Sequence, residues 1–134
     1  WMPHSLRREV VDVRNLFLGN QSSSRRSKPW TTNEGLTMLL QIIDGLSAIH
    51  GLSLAHCDLK MDNVMLQRTN NNNSWHAVLV DYGSVGPCRV SIATRQDLMK
   101  VWDDAAVHTT LPYRAPELML EGGLRAGDDH AEID

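Results

Sequence analysis

Three short stretches of the chain decide its fold, and they read HCDLKMDN at residues 56–63, DYG at residues 81–83 and TLPYRAPE at residues 110–117. The second stretch directly follows a short apolar run, Ala77–Val80, which has the length of a strand. Pro112 and Pro116 in the third stretch forbid a continuous helix there. The order and spacing of the three stretches carry more information than any one of them alone.

The strongest predicted helix lies before the first stretch, at residues 31–51. Thr31 and Glu34 have the spacing of a capping box, and Gly51 is a C-cap residue. Between them, apolar residues recur at helical spacing at Leu36, Leu39, Leu40, Ile43 and Leu46. We therefore expect an amphipathic helix that leads into residues 56–63.

The remaining elements follow from the same kind of pattern. Residues 5–18 and 95–107 have helical apolar spacing, and Thr94 with Asp97 offers a second capping box. Two short apolar runs around a polar stretch with four consecutive asparagines predict a β-hairpin at 64–80. The polar residues 19–30 and the acidic, glycine-containing tail 121–134 are predicted to be loops.

Composition excludes several classes of protein. Of the 134 residues, 42% are hydrophobic and 22% charged, and the net charge is −3. A globular chain is therefore expected, and a nucleic-acid-binding module is disfavoured because it needs clustered Lys and Arg. The two cysteines, Cys57 and Cys88, cannot build a disulfide scaffold and favour a reduced, intracellular and cytoplasmic location. No apolar run approaches the ~20 residues of a membrane helix.

Taken alone, Asp58, Lys60 and Asn63 would also fit a solvated turn, because Asp and Asn are common turn residues. His56 alone would more often be a buried structural histidine than a catalytic one. A zinc site around residue 56 is disfavoured, because the spacing of its histidines and cysteine matches no zinc pattern. The solvated-turn interpretation loses ground once all three stretches are considered in order.

Together the three stretches resemble the catalytic core of a eukaryotic protein kinase, with its catalytic loop, its metal-binding turn and the end of its activation segment. The resemblance implies an α+β fold, namely a partial C-terminal lobe that is mainly α-helical with a short β-hairpin. It divides residues 1–134 into the hinge end and following helix 1–18, loop 19–30, long helix 31–51, catalytic loop 56–63, hairpin 64–80 and activation segment 81–117.

The resemblance also assigns chemistry to individual residues. Asp58 is the expected catalytic base, and Lys60 neutralises charge on the transferred phosphoryl group. Asn63 and Asp81 are the expected Mg²⁺ ligands, and together with Lys60 they serve ATP binding. Met65 is expected to form the floor under the adenine ring. Thr110 stands where serine/threonine kinases keep a threonine whose hydroxyl ties Asp58 to Lys60.

Two departures and one finer likeness qualify this picture. Cys57 replaces the arginine that in most kinases reads a phosphate on the activation loop, so activation by that route is not expected. Tyr82 replaces a phenylalanine. Residues 31–120 look most like the Numb-associated serine/threonine kinase group, in particular its Golgi-associated, lipid-anchored branch. That likeness implies a Golgi or membrane association, which would come through an anchor outside this chain.

The expected function is a serine/threonine protein kinase that uses ATP and Mg²⁺ to phosphorylate a protein hydroxyl. No glycine-rich phosphate loop with its strand lysine is found in the sequence, so we expect the isolated chain to be inactive as a partial domain. The alternative is a pseudokinase or scaffold fragment without phosphotransfer activity. The apolar stripes Leu36/Leu40/Ile43 and Leu98/Trp102/Ala106 are expected to be exposed in this chain.

Overall fold

The computed structural model describes residues 4–18, 30–69, 74–119 and 131–132. Most of the predicted loop 19–30 and tail 121–134, together with the asparagine stretch 70–73, lies outside these described residues. The described helices are α1 Leu6–Phe17, α2 Thr32–His50 and α3 Arg95–His108. None of them extends more than one residue beyond the helix that the sequence predicted. Within the described part of the chain, no helix has the length and apolar content of a membrane span.

The strands are β1 His4–Ser5, β2 Leu54–Ala55, β3 Val64–Arg68, β4 Trp75–Leu79, β5 Gly86–Pro87, β6 Arg89–Val90 and β7 Ala131–Glu132. They form a three-stranded sheet in the order β1-β3-β4 and two small pairs, β2-β5 and β6-β7. Every one of these pairings is antiparallel. Three helices with small antiparallel sheets confirm the predicted α+β class and its short hairpin.

The described residues form two compact units. The first comprises residues from 1–45 and 61–80, and the second comprises residues from 46–60 and 81–134. The first unit contains the three-stranded sheet with α1, whereas the second contains α3 and the two small strand pairs.

The β3–β4 hairpin of the first unit is held by strict alternation of side chains. The register pairs Val64 with Leu79 and Leu66 with Ala77, and all four of these side chains are buried. The residues between them, such as His76 and Val78, are exposed. Because successive side chains of a strand point to opposite faces, this pattern gives the hairpin one buried and one exposed face.

Helix α2 covers the outer edge of β4 through one side chain. The Gln41 amide oxygen accepts the Ala77 N–H at 2.7 Å, so this edge group has a partner without another strand. A Cβ atom at Gly45 would lie only 3.1 Å from the Leu79 side chain, so a glycine at this position permits close packing of α2 on β4. The predicted capping box at the start of α2 is confirmed, with Glu34 N–H donating to the Thr31 hydroxyl and Thr31 N–H to the Glu34 carboxylate.

The start of α1 contains a buried polar pair that the sequence did not reveal. His4 Nε2 lies 2.6 Å from Glu9 Oε2, and both residues are buried. The His4 ring meets the Trp75 ring edge-on, with the ring centroids 6.1 Å apart. This pair fixes the junction between β1 and α1, because a buried carboxylate needs a partner to offset its desolvation.

In the second unit, α3 packs one face into a small apolar cluster, which consists of Ile92, Leu98, Val101, Ala105 and Leu118. Its predicted capping box is confirmed, since Asp97 N–H donates to the Thr94 hydroxyl and Thr94 N–H donates to the Asp97 carboxylate. The expectation that Leu98 is exposed was therefore wrong. The stripe Leu36/Leu40/Ile43 on α2, by contrast, is exposed as expected.

Candidate active site

The segment that carries residues 56–60 follows β2, which pairs with β5. The Cys88 N–H donates to the Ser53 carbonyl at 3.1 Å next to this pair. Cys57 has a left-handed backbone with φ 62°, and Asp81 has φ 64°. Residues other than glycine adopt this backbone conformation at a cost of about 1–3 kcal/mol, so surrounding contacts must stabilise it. Two of the three predicted motifs thus contain a strained residue, as functional sites often do.

Three hydrogen bonds from Thr110 and Lys60 converge on the Asp58 carboxylate. Its Oδ1 accepts the Thr110 N–H at 3.0 Å and the Thr110 hydroxyl at 2.6 Å. Its Oδ2 accepts Lys60 Nζ at 2.6 Å, and the same Nζ donates to Thr110 Oγ1 at 2.8 Å. The structure therefore brings together Asp58, Lys60 and Thr110 in a closed triangle, although Thr110 lies about fifty residues further along the chain.

These contacts set the charge state of Asp58. Burial by itself raises the pKa of Asp58, but the hydrogen bonds from Lys60 and Thr110 and the Lys60 charge outweigh it. The pKa of Asp58 consequently lies below its ordinary value. The side chains are partly buried, with 11% of Asp58 and 21% of Lys60 exposed. Asp58 is thus an ionised carboxylate that hydrogen bonds hold in place and that is still partly accessible to solvent.

The threonine before Thr110 is held by a second set of contacts that sequence reasoning missed. The Thr109 hydroxyl donates to the Ala105 carbonyl at 2.7 Å and accepts Arg114 Nε at 2.7 Å. Arg114 Nη2 also donates to the Thr109 carbonyl at 3.3 Å. In the sequence, Thr109 is recognisable only as the residue between a predicted helix and Thr110, and this position assigns no role to Thr109.

His56 and Cys57 directly precede Asp58 in the predicted catalytic loop. His56 is buried and its ring centroid lies 5.5 Å from that of Tyr82. This matches the structural role expected for it. Burial raises the pKa of the Cys57 thiol, and a charge on Cys88 would raise it too, although the Gly86 N–H works against both. A protonated thiol carries no positive charge, so Cys57 cannot read a phosphate.

Asp81 begins the turn after the hairpin, and residues 82–84 form a single 3-10 turn. Its side chain is exposed, and a Cβ atom added at Gly83 would lie 3.4 Å from Asp81 Oδ1. The Asp81 carboxylate thus lies at ordinary van der Waals distance from the position of a Cβ atom at residue 83.

Asn63 and Met65 lie in the first unit. Asn63 is buried in a 3-10 turn, Met61–Asn63, and its backbone carbonyl accepts the Val80 N–H at 2.9 Å. Met65 is partly buried in β3, opposite Ser5 of β1. In the same unit, Arg7 on α1 donates to the carboxylate of Asp62 at 3.0 Å. The amide oxygen of Asn63 and the carboxylate of Asp81 are oxygen donors of the kind that Mg²⁺ prefers.

Cys57 lines two clefts of the second unit. The smaller, of about 280 Å³, is bordered by Asp58, Thr110 and Tyr113. The larger, of about 530 Å³, lies between residues 83–91 and α3, and Lys100 and Asp104 are among its lining residues. The triangle around Asp58 thus borders a concave surface instead of standing isolated on a flat one.

Comparisons with known proteins find similarity to protein kinases. A family model for the protein kinase domain matches residues 6–132. Serine/threonine-protein kinase AKL1 of Saccharomyces cerevisiae is 32% identical over 107 residues, which are 78% of this chain and 9% of that protein. Human serine/threonine-protein kinase 16 is 36% identical over 88 residues, which are 66% of this chain and 27% of that protein.

A third relative, sporulation protein kinase mde3 of Schizosaccharomyces pombe, is 29% identical over 114 residues, covering 85% of this chain and 19% of that protein. The chain thus spans between about a tenth and about a quarter of the length of these relatives. The matched region contains the triangle of Asp58, Lys60 and Thr110.

Proposed function

The chain belongs to the protein kinase family, and from this premise we propose that it carries the catalytic loop and activation segment of a serine/threonine kinase. The reaction is transfer of the ATP γ-phosphate to a serine or threonine hydroxyl of a protein. The observation that carries the proposal is the convergence of Lys60 and Thr110 on the two oxygens of Asp58. The names of the relatives, which are serine/threonine protein kinases, agree with this class of reaction.

Asp58 acts as the catalytic base and orients the substrate hydroxyl. A base must be ionised before the reaction, and the lowered pKa of Asp58 keeps it so at neutral pH. The two Thr110 donors hold Oδ1, so the carboxylate plane has a defined direction. Because phosphoryl transfer proceeds through a loose transition state, most of the catalysis comes from such positioning and from charge stabilisation.

Lys60 supplies positive charge beside the base. Its Nζ is held between Asp58 Oδ2 and the Thr110 hydroxyl, which restricts a side chain that is otherwise flexible. A positioned ammonium group in a partly buried site stabilises negative charge on the transferred phosphoryl group. Thr110 therefore orients both Asp58 and Lys60.

Asn63 and Asp81 would hold Mg²⁺, and Met65 would lie against the adenine ring of ATP. The donor set fits, because an amide oxygen and an exposed carboxylate are hard oxygen ligands. The metal ion, when bound, neutralises charge on the ATP phosphates.

Regulation through a phosphate on the activation segment is not part of the proposed mechanism. Cys57 stands where a phosphate-reading arginine would be needed, and its thiol is kept protonated by burial. The segment is instead ordered by the apolar cluster around α3 and by the Thr94 capping box.

Replacement of Asp58 by Asn tests the proposal in the full-length protein. The change removes the base but preserves the shape, so kcat for a peptide with a Ser or Thr acceptor is expected to fall about 10²–10⁴-fold. Asp103→Asn, on the exposed side of α3, is the matched control and should retain activity. Undiminished transfer by Asp58→Asn would remove Asp58 from the mechanism. A wild-type protein that transfers no phosphate to the peptide would instead favour the pseudokinase or scaffold alternative.

A further inference from the structure

The peptide group between Thr109 and Thr110 joins two of the contacts described above. Its N–H belongs to Thr110 and donates to Asp58 Oδ1 at 3.0 Å. Its carbonyl belongs to Thr109 and accepts Arg114 Nη2 at 3.3 Å. A planar trans peptide points its N–H and its C=O in opposite directions, so one rigid group lies between the guanidinium and the carboxylate.

Arg114 grips Thr109 at two points. Besides the carbonyl contact, Arg114 Nε donates to the Thr109 hydroxyl at 2.7 Å, and this hydroxyl donates in turn to the Ala105 carbonyl at 2.7 Å. Thr109 is the C-cap residue of α3. The planar fork of an arginine presents its donors in a fixed geometry, whereas a lysine has a single ammonium group on a flexible stem. The end of α3 and the peptide after it are therefore held in one orientation.

The loop from Thr109 to Arg114 is short and internally bonded. Tyr113 N–H donates to the Thr110 carbonyl at 2.8 Å, and Arg114 N–H donates to the Leu111 carbonyl at 3.2 Å. Pro112 adds a fixed φ angle in the same turn. These hydrogen bonds and the proline restrict the backbone conformation at Arg114.

We propose that Arg114 is a positioning residue for Asp58, acting through the Thr109–Thr110 peptide. The inference rests on the proposed role of Asp58 as the base. The guanidinium fixes the peptide plane, so the Thr110 N–H meets Oδ1 in line. A cation at the carbonyl end also polarises the N–H at the other end, because linked hydrogen bonds strengthen one another. Arg114 itself contacts neither the base nor the substrate in this arrangement.

The test compares Arg114→Met, Arg114→Lys and the control Arg95→Met in the full-length protein. Arg95 is exposed in the first turn of α3 and is replaced by the same side chain. Arg114→Met is expected to lower kcat about tenfold, which is the effect of misplacing one hydrogen bond to a charged group. The KM values for ATP and for the peptide should stay within about twofold of wild type, because Arg114 contacts neither substrate in the proposed arrangement. Arg114→Lys should fall between wild type and Arg114→Met, because an ammonium can serve one of the two Thr109 acceptors. Arg95→Met should match wild type.

A purely structural role is separated by two further measurements. Thermal unfolding of each variant shows whether the loss of kcat merely follows a loss of folded protein. The double variant Arg114→Met/Asp58→Asn shows whether Arg114 acts through Asp58, in which case Arg114→Met adds little to the loss of kcat that Asp58→Asn already causes. Unchanged kcat in folded Arg114→Met, or a fully multiplicative loss in the double variant, would overturn the proposal. Either result would leave the Asp58→Asn outcome, and so the proposed function, untouched.

Discussion

The β3–β4 hairpin and the activation segment, residues 81–117, are held in place by different forces. The hairpin depends on a backbone ladder of five register pairs and on alternation of buried apolar residues. The activation segment depends on single side chains, among them Thr94, Thr109, Thr110 and Arg114, each of which makes specific hydrogen bonds. The hairpin geometry therefore tolerates substitution of similar apolar residues, whereas one polar change in the activation segment removes a directed contact.

The difference fits the roles proposed for the two regions. In the proposed function the hairpin lies against the nucleotide, and backbone pairing gives it a regular, stable surface. The proposed role of Asp58 requires its carboxylate to be held within a fraction of an ångström and a few tens of degrees, which directed hydrogen bonds achieve. Cys57 and Asp81, which have a left-handed backbone, belong to the same unit as Asp58, and surrounding contacts offset this local strain.

The largest effect is expected from a substitution in the apolar cluster into which α3 packs. Leu98→Ala should destabilise the protein by about 2–4 kcal/mol, because it opens a cavity in a small core. It should also lower hydrogen-exchange protection of α3 and reduce kcat, since α3 carries Thr109. Val107→Ala is the control on the same helix, because Val107 is 75% exposed. Loss of protection in the hairpin instead of in α3 would contradict the assignment of Leu98 to the cluster that holds α3.

A smaller effect is expected from the two capping boxes. Thr94→Ala and Thr31→Ala each remove an N-cap hydroxyl, so each should lower the free energy of unfolding by about 1 kcal/mol, measured by urea denaturation. Both caps lie at the ends of their helices remote in sequence from Asp58 and Thr110. We therefore expect kcat to stay within about twofold of wild type. A tenfold loss of kcat in Thr94→Ala alone would show that the start of α3 also positions Thr110.

The smallest effect concerns acid pH. Hydrogen bonds hold the pKa of Asp58 and of Asp97 below the ordinary value, despite the burial that raises the pKa of Asp58. A carboxylate with a lowered folded-state pKa stabilises the fold fully above its unfolded pKa of about 3.9, and this contribution is lost as the pH falls through the folded value. Asp58→Asn and Asp97→Asn should therefore show a shallower decline of the melting temperature below about pH 4 than Asp103→Asn does. Parallel profiles for all three variants would contradict this.

Much of the fold was accessible from the sequence because its signals are local. Helical apolar spacing located α2, and the capping pairs Thr31–Glu34 and Thr94–Asp97 each span one helical turn. Two short apolar runs on either side of a polar, asparagine-rich stretch predicted the hairpin. The sequence did not predict the buried pair of His4 and Glu9, because a helix with several charged residues gives no sign of which carboxylate turns inward.

The order and spacing of the three stretches were enough to predict which residues bear chemistry, Asp58, Lys60 and Asp81 among them, because they resemble those of a protein kinase. How Asp58 is held depends on the folded chain. The contact that fixes it joins residues 52 positions apart, and packing of α3 against Ile92 and Leu118 determines where Thr110 lies. Local patterns encode local hydrogen bonds, whereas the direction of a carboxylate depends on distant side chains that only a folded core brings together.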